Sequence, residues 1–155
     1  PYAFASHFAP EMLEQAVSIY RETFRPSAYL REPYVIIGAG VCAAETDEEA
    51  VFLRSSQILA FARLMTGNPG KLPAPRAQNQ LEVPAHIIAQ VEQSLSCSAT
   101  GSAETIKRQL SELITTFSPD ELIVTGMIHD HQARVRSFGI ASEVLSELCI
   151  KSIAV

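Results

Sequence analysis

The chain has 155 residues, enough for one ordinary domain around one core. At 47% hydrophobic and 19% charged it reads as globular rather than disordered. A formal net charge of −5, with 12 scattered basic residues, argues against nucleic acid or an anionic membrane surface as the main partner, because phosphate binding needs concentrated Lys and Arg.

Residues 2–8, YAFASHF, are short, aromatic and apolar, and predict a strand. Pro10 suits a first helical position, where its missing N–H is no loss. Met12, Leu13, Ala16, Val17, Tyr20 and Phe24 then recur at helical spacing and predict one buried face. Residues 34–44, YVIIGAGVCAA, form a nearly unbroken apolar run with β-branched members, the pattern of a strand buried on both faces of a parallel sheet. Gly38 and Gly40 inside it point to a close backbone approach or a bulge. Thr46 and Glu49 make a capping box for a helix running to about Thr66 that buries Leu53, Ile58, Phe61 and Met65.

Residues 67–82 are a surface loop rich in Pro and Gly. Residues 84–96 predict a helix, and CSATGS a short extended piece whose Ser102 caps the next helix, with Ile106, Leu110, Leu113, Ile114 and Phe117 inward. A short strand at 121–125 leads into a last helix from about Asp130 to Cys149, burying Val135, Phe138, Ala141, Leu145 and Leu148. Strands alternating with helices indicate an α/β fold with a parallel sheet and right-handed crossovers. Three strands leave two open edges, which helices this regular do not account for. The expectation is a single domain over 1–155 that associates, as a homo-oligomer or with a complementary N-terminal half.

The three cysteines, Cys42, Cys97 and Cys149, are far apart, which suggests neither a disulfide framework nor zinc. No run of about 18 apolar residues spans a membrane, and no basic-then-apolar leader opens the chain. The default reading is a cytoplasmic protein with reduced thiols.

PYAFASHFAPEMLEQAVSIYRETFRPSAYLREPYVIIGAGVCAAET, GNPGKLPAP, GSAETIKRQL and DELIVTGMIHDHQARVRSF, in this order, resemble the bacterial luciferase-like flavin monooxygenases. The resemblance implies a partial TIM (β/α)8 barrel, its sixth to eighth strands with their helices. It also implies reduced FMN at the C-terminal strand ends, O2 activation there and oxidation of a small organic substrate, with a flavin reductase as a partner and no metal. The family's Gly-Ser-Ser-like phosphate turn belongs to a strand before residue 1, so this chain should bind FMN poorly unless a second polypeptide supplies the missing part. The competing expectation is a barrel piece without catalysis, acting as a structural or oligomerising module.

Ser6, His7 and Phe8 fall at the end of the first strand, the active-site face in such barrels. The resemblance implies that Ser6 and His7 bond the flavin ring or substrate and that Phe8 walls the pocket. The alternative is that His7 satisfies a buried backbone group and Phe8 is core. Met127 and His129, just past the last strand, border a substrate pocket on this reading. His129 and His131 flank Asp130, but a metal needs three or four convergent ligands, and Asp130 is better read as the cap of the last helix. ATGSAET opens a helix, and a helix start can hold an anion. It has no P-loop lysine, so ordinary capping is the simpler reading.

Overall fold

The computed structural model describes residues 1–7 and 10–152, the last four of these by backbone alone. In chain order the elements are β1 (Tyr2–Phe4), α1 (Leu13–Thr23), β2 (Val35–Ala43), α2 (Asp47–Met65), α3 (Ala85–Ser94), β3 (Ser98–Gly101), α4 (Ala103–Phe117), β4 (Glu121–Thr125) and α5 (His131–Ser152). All strand pairs are parallel, and β2 is the hub: it pairs with β1, β3 and β4.

The hydrogen-bond directions place those partners. Along a strand, the N–H and C=O of one residue point to one edge and those of the next residue to the other. Tyr34 C=O accepts from Tyr2, and the N–H groups of Gly40 and Ala44 bond Cys97 and Gly101, so even-numbered residues of β2 serve both β1 and β3. Val35 C=O accepts from Asp120, so odd-numbered residues serve β4. β1 and β3 therefore share one edge of β2 end to end, and β4 takes the other. Three strands were expected; the SATG segment forms a fourth.

Side chains of β2 alternate between two faces. Val35, Ile37, Ala39, Val41 and Ala43 point outward into a core with Leu13 and Val17 of α1, Ile106 and Leu110 of α4, and Ala141 and Val144 of α5. Full burial of a Val or Ile is worth roughly 1.5–3 kcal/mol, so this outer core carries the fold. On the inner face, Cys42 and Ala44 meet Ala50 and Leu53 of α2 together with Ile128 and Ala133. α2 thus crosses only the upper part of the inner face. Lower down, Ile123 is 51% exposed, and Ala3 and Ala5 are exposed.

The helix ends follow local chemistry. Thr46 Oγ1 accepts from Glu49 N–H at 3.2 Å, as the capping pattern predicts. Asp130 Oδ1 accepts from Ala133 N–H at 2.7 Å and starts α5. Arg21 closes the end of α4 by donating to the carbonyls of Phe117 and Ser118 at 2.8 and 2.7 Å.

Some expected core residues lie outside it. Val135 is 56% exposed and Met12 63% exposed. α5 instead buries Ala133, Ser137, Ala141 and Val144, a mostly small-residue face that lets the helix approach β2 closely. β1 stops at Phe4 rather than running to residue 8, because the chain turns at Ser6.

Candidate functional site

Ser6 and His7 meet around a single residue of β2, Gly38. Ser6 is 2% exposed, and its hydroxyl donates to Gly38 C=O at 2.7 Å and to Phe4 C=O at 3.3 Å. Cys97 Sγ donates to the same Gly38 carbonyl at 3.5 Å. The pair fills the gap between the end of β1 and the start of β3. Ser6 is thus a buried donor to the backbone, committed to holding the turn.

His7 lies over the inner face. A Cβ built on Gly38 would sit 2.4 Å from its Nδ1 and 3.2 Å from its Cε1. The glycine expected to mark a close approach is therefore the seat of the imidazole. Burial pushes the His7 pKa below its ordinary 6.5, so the ring is neutral near pH 7. Phe8 lies outside the described residues.

Met127 and His129 are not brought to this seat. β4 ends level with Gly40, beyond Gly38, and the chain continues past it toward the upper cluster that Ile128 joins with Cys42 and Ala44. Met127 is half-buried and His129 exposed. His131 Nδ1 lies 3.0 Å from Arg134, a cation that disfavours a metal beside it. Among the described residues no group of three or more His, Cys, Asp or Glu converges as metal ligands.

The start of α4 is occupied from within the chain. Ser102 stands at the cap position, but its hydroxyl makes no capping bond to the helix backbone. The Asp47 carboxylate takes over: Oδ1 accepts from Ser102 N–H at 2.6 Å and Oδ2 from Thr105 Oγ1 at 2.9 Å. Those bonds, the backbone one foremost, hold the Asp47 pKa below its ordinary 3.8. Gly101, at φ +146, makes room, since a Cβ there would sit 2.6 Å from Asp47 Oδ1. An anion already sits where a phosphate would be held. The sequence shows Asp47 only as a first-turn acid of α2; its partners, Ser102 and Thr105, are remote in the chain.

Burial disfavours the thiolate form at the two described thiols: it pushes Cys42 up to about 12 and also raises Cys97. The side chain of Cys149 lies outside the description. An open groove of about 400 Å³ runs between α2 and the following loop, lined by Asp47, Glu48, Val51, Phe52, Ala77 and Gln78. Another, of about 380 Å³, follows β1 and the start of α1, lined by residues including Ala3, Ala5, Met12 and Ala16.

A fit to the implied flavin can be tested on these features. The inner face at Gly38 and Gly40 carries no side chain of its own, and a neutral imidazole lies beside it, which suits a flat ring. The phosphate end finds no such fit at α4, where the Asp47 carboxylate fills the helix start.

Comparison with known proteins agrees with this layout. The chain is 41% identical over 149 residues to a luciferase-like monooxygenase of Escherichia coli strain K12, covering 96% of this chain and 44% of that protein. It is 39% identical over 149 residues to the uncharacterized protein YddN of Bacillus subtilis strain 168, again covering 96% of this chain and 44% of the relative. The chain thus spans under half the length of the curated relatives it matches. The crystal structure of apo-MsnO8 superposes with a TM-score of 0.83 at 29% identity, over 94% of this chain and 45% of that one. The monooxygenase RslO1 from Streptomyces bottropensis, at 13% identity and a TM-score of 0.57, shares the fold, over 94% of this chain and 40% of that one. No family model matches the chain. Among the described residues, no helix is long and apolar enough to cross a membrane.

Proposed function

Because the chain matches part of a longer luciferase-like monooxygenase along 96% of its own length, we propose that it forms one wall of a flavin-dependent monooxygenase site, in the cytoplasm. On this reading the isoalloxazine ring of reduced FMN lies on the inner face of β2, beside His7 and over Gly38 and Gly40. Phe8 borders the ring, and Met127 and His129 border the organic substrate further up. The observation that carries the proposal is the 41% identity to a luciferase-like monooxygenase along 96% of the chain.

Reduced flavin, when bound, supplies two electrons to O2, one oxygen atom of which enters the substrate. This chain's own residues do the positioning. His7 is neutral near pH 7 and serves as a hydrogen-bonding partner for a neutral ring edge rather than as a cation. Ser6 spends its hydroxyl on Gly38 C=O and fixes the turn that carries His7. α2 and Ile128 cover the upper end of the face and keep water from it.

The same reading assigns a partner. The outward N–H and C=O groups of Ala3 on β1, and of Leu122 and Val124 on β4, have no backbone partner among the described residues. A complementary arc of strands pairing with both edges would close the barrel and supply the phosphate grip. Association as a homo-oligomer is the other arrangement that would cover these edges.

The test is anaerobic titration of the 155-residue chain with reduced FMN, and of oxidised FMN followed by flavin fluorescence. Saturable binding is expected, weaker than that of a full-length relative. No binding at high micromolar flavin would remove the enzyme reading for this chain alone and leave the structural-module reading.

A further inference from the structure

We propose that Gly38 is a positioning residue for His7: its missing side chain seats the imidazole against β2, and Ser6 locks that seat from the strand edge. The inference deepens the flavin reading above, since it concerns the group assigned to border the ring.

The argument is steric. Gly38 sits in the middle of a nine-residue central strand, flanked by Ile37 and Ala39. A glycine there weakens the strand relative to a β-branched residue, so the position has another use. The space its Cβ would take is claimed by one group. His7 Nδ1 is 2.4 Å from that point, far inside contact distance, while the nearest backbone atom, Phe4 C=O, is at an ordinary 3.4 Å. Gly40 differs: its Cβ would meet Ser98 Cβ at 3.1 Å, a strand-to-strand contact unconnected with His7.

The second half of the device is Ser6. It is buried at 2% exposure and bonds the carbonyl of the seat itself, Gly38, as well as that of Phe4. The residue that carries His7 and the residue that receives it are thus tied through one hydroxyl. A side chain held this way reaches an incoming ring with its orientation already set, which lowers the ordering cost of binding.

A double-mutant cycle tests this on the whole chain, with Gly38→Ala, His7→Ala and the two combined. NOE contacts between the His7 ring and the Gly38 α-protons should be present in the wild type. Gly38→Ala should shift the ring resonances and lower the urea midpoint. In the His7→Ala background the same change should be neutral or raise the midpoint, because a methyl then fills empty space. Should Gly38→Ala alone fail to fold, folding of the double variant supports the seat, and failure of both overturns it. Equal destabilisation in both backgrounds also overturns it. In flavin titrations, Gly38→Ala should weaken FMN binding about tenfold, and the double variant should bind no more weakly than His7→Ala. If the wild type binds no flavin, the functional reading fails while the stability cycle still decides the seat.

Discussion

The sheet is finished at its upper end and unfinished along its lower edges. Beyond the end of β4, the N–H of Ala43 on β2 is bonded by Ser137 Oγ of α5 at 2.8 Å, deep in the core. On β3, the outward N–H of Thr100 is bonded by Gln109 Oε1 of α4 at 2.7 Å, and its hydroxyl accepts from Arg54 at 3.2 Å. Both of these leftover backbone donors are met by a side chain. Among the described residues β1 and β4 have no such provision: Ala3 on β1 and Leu122 and Val124 on β4 carry the outward backbone groups, and the inner face at Ala3 and Ile123 is open to solvent. Buried backbone groups must be paired, and native proteins blunt the edges they leave exposed. An edge that is capped and an edge that is bare therefore serve different ends. On the proposed reading, the bare ones are where further strands would pair.

The largest expected effect lies at the finished end. Ser137→Val removes the only side-chain bond given to Ala43 N–H and should cost about 1–3 kcal/mol in urea unfolding, since the donor stays buried. Gln109→Leu unpairs a half-buried donor and should cost ~0.5–1.5 kcal/mol by the same measurement. If both changes prove neutral, the distinction between capped and bare edges fails.

A subtler effect concerns pH. The folded-state pKa of His7 is lowered, so the unfolded chain binds the proton more tightly. Its contribution is complete above the ordinary 6.5 and is lost as pH falls from there through the folded value. Stability measured from pH 8 downward should decline in that window, and His7→Ala should flatten the decline. The smallest effect belongs to the bare side: Ile123→Lys, on a half-exposed position, should change the stability of the isolated chain by no more than about 0.5 kcal/mol. A large loss there would mean that the inner face is already covered.

Local chemistry made much of the fold legible in the sequence. The apolar run at 34–44 became β2 at Val35–Ala43, and the Thr46 cap and the 121–125 strand stand where their patterns put them. What escaped was decided by distant partners. Ser98–Gly101 has no apolar alternation, and only its ladder with Gly40–Ala43 makes it a strand. Ser102 has the right residue type for a cap, yet Asp47 does the capping from the start of another helix. Val135 fits the helical period of α5, but a face of smaller residues packs closer to β2 and wins. At the candidate site, Gly38 already signalled a close approach, while the group that approaches, His7, comes from the turn after β1 and leaves no trace around Gly38 in the sequence.

The most direct test of the account is where flavin lands. Amide shifts should be followed in a 1H–15N spectrum of the chain during FMN addition. The account predicts saturable changes at His7, Gly38 and Gly40 on the open inner face. Changes confined to the α2 groove at Asp47, Glu48 and Gln78, or no changes at high micromolar flavin, would contradict it.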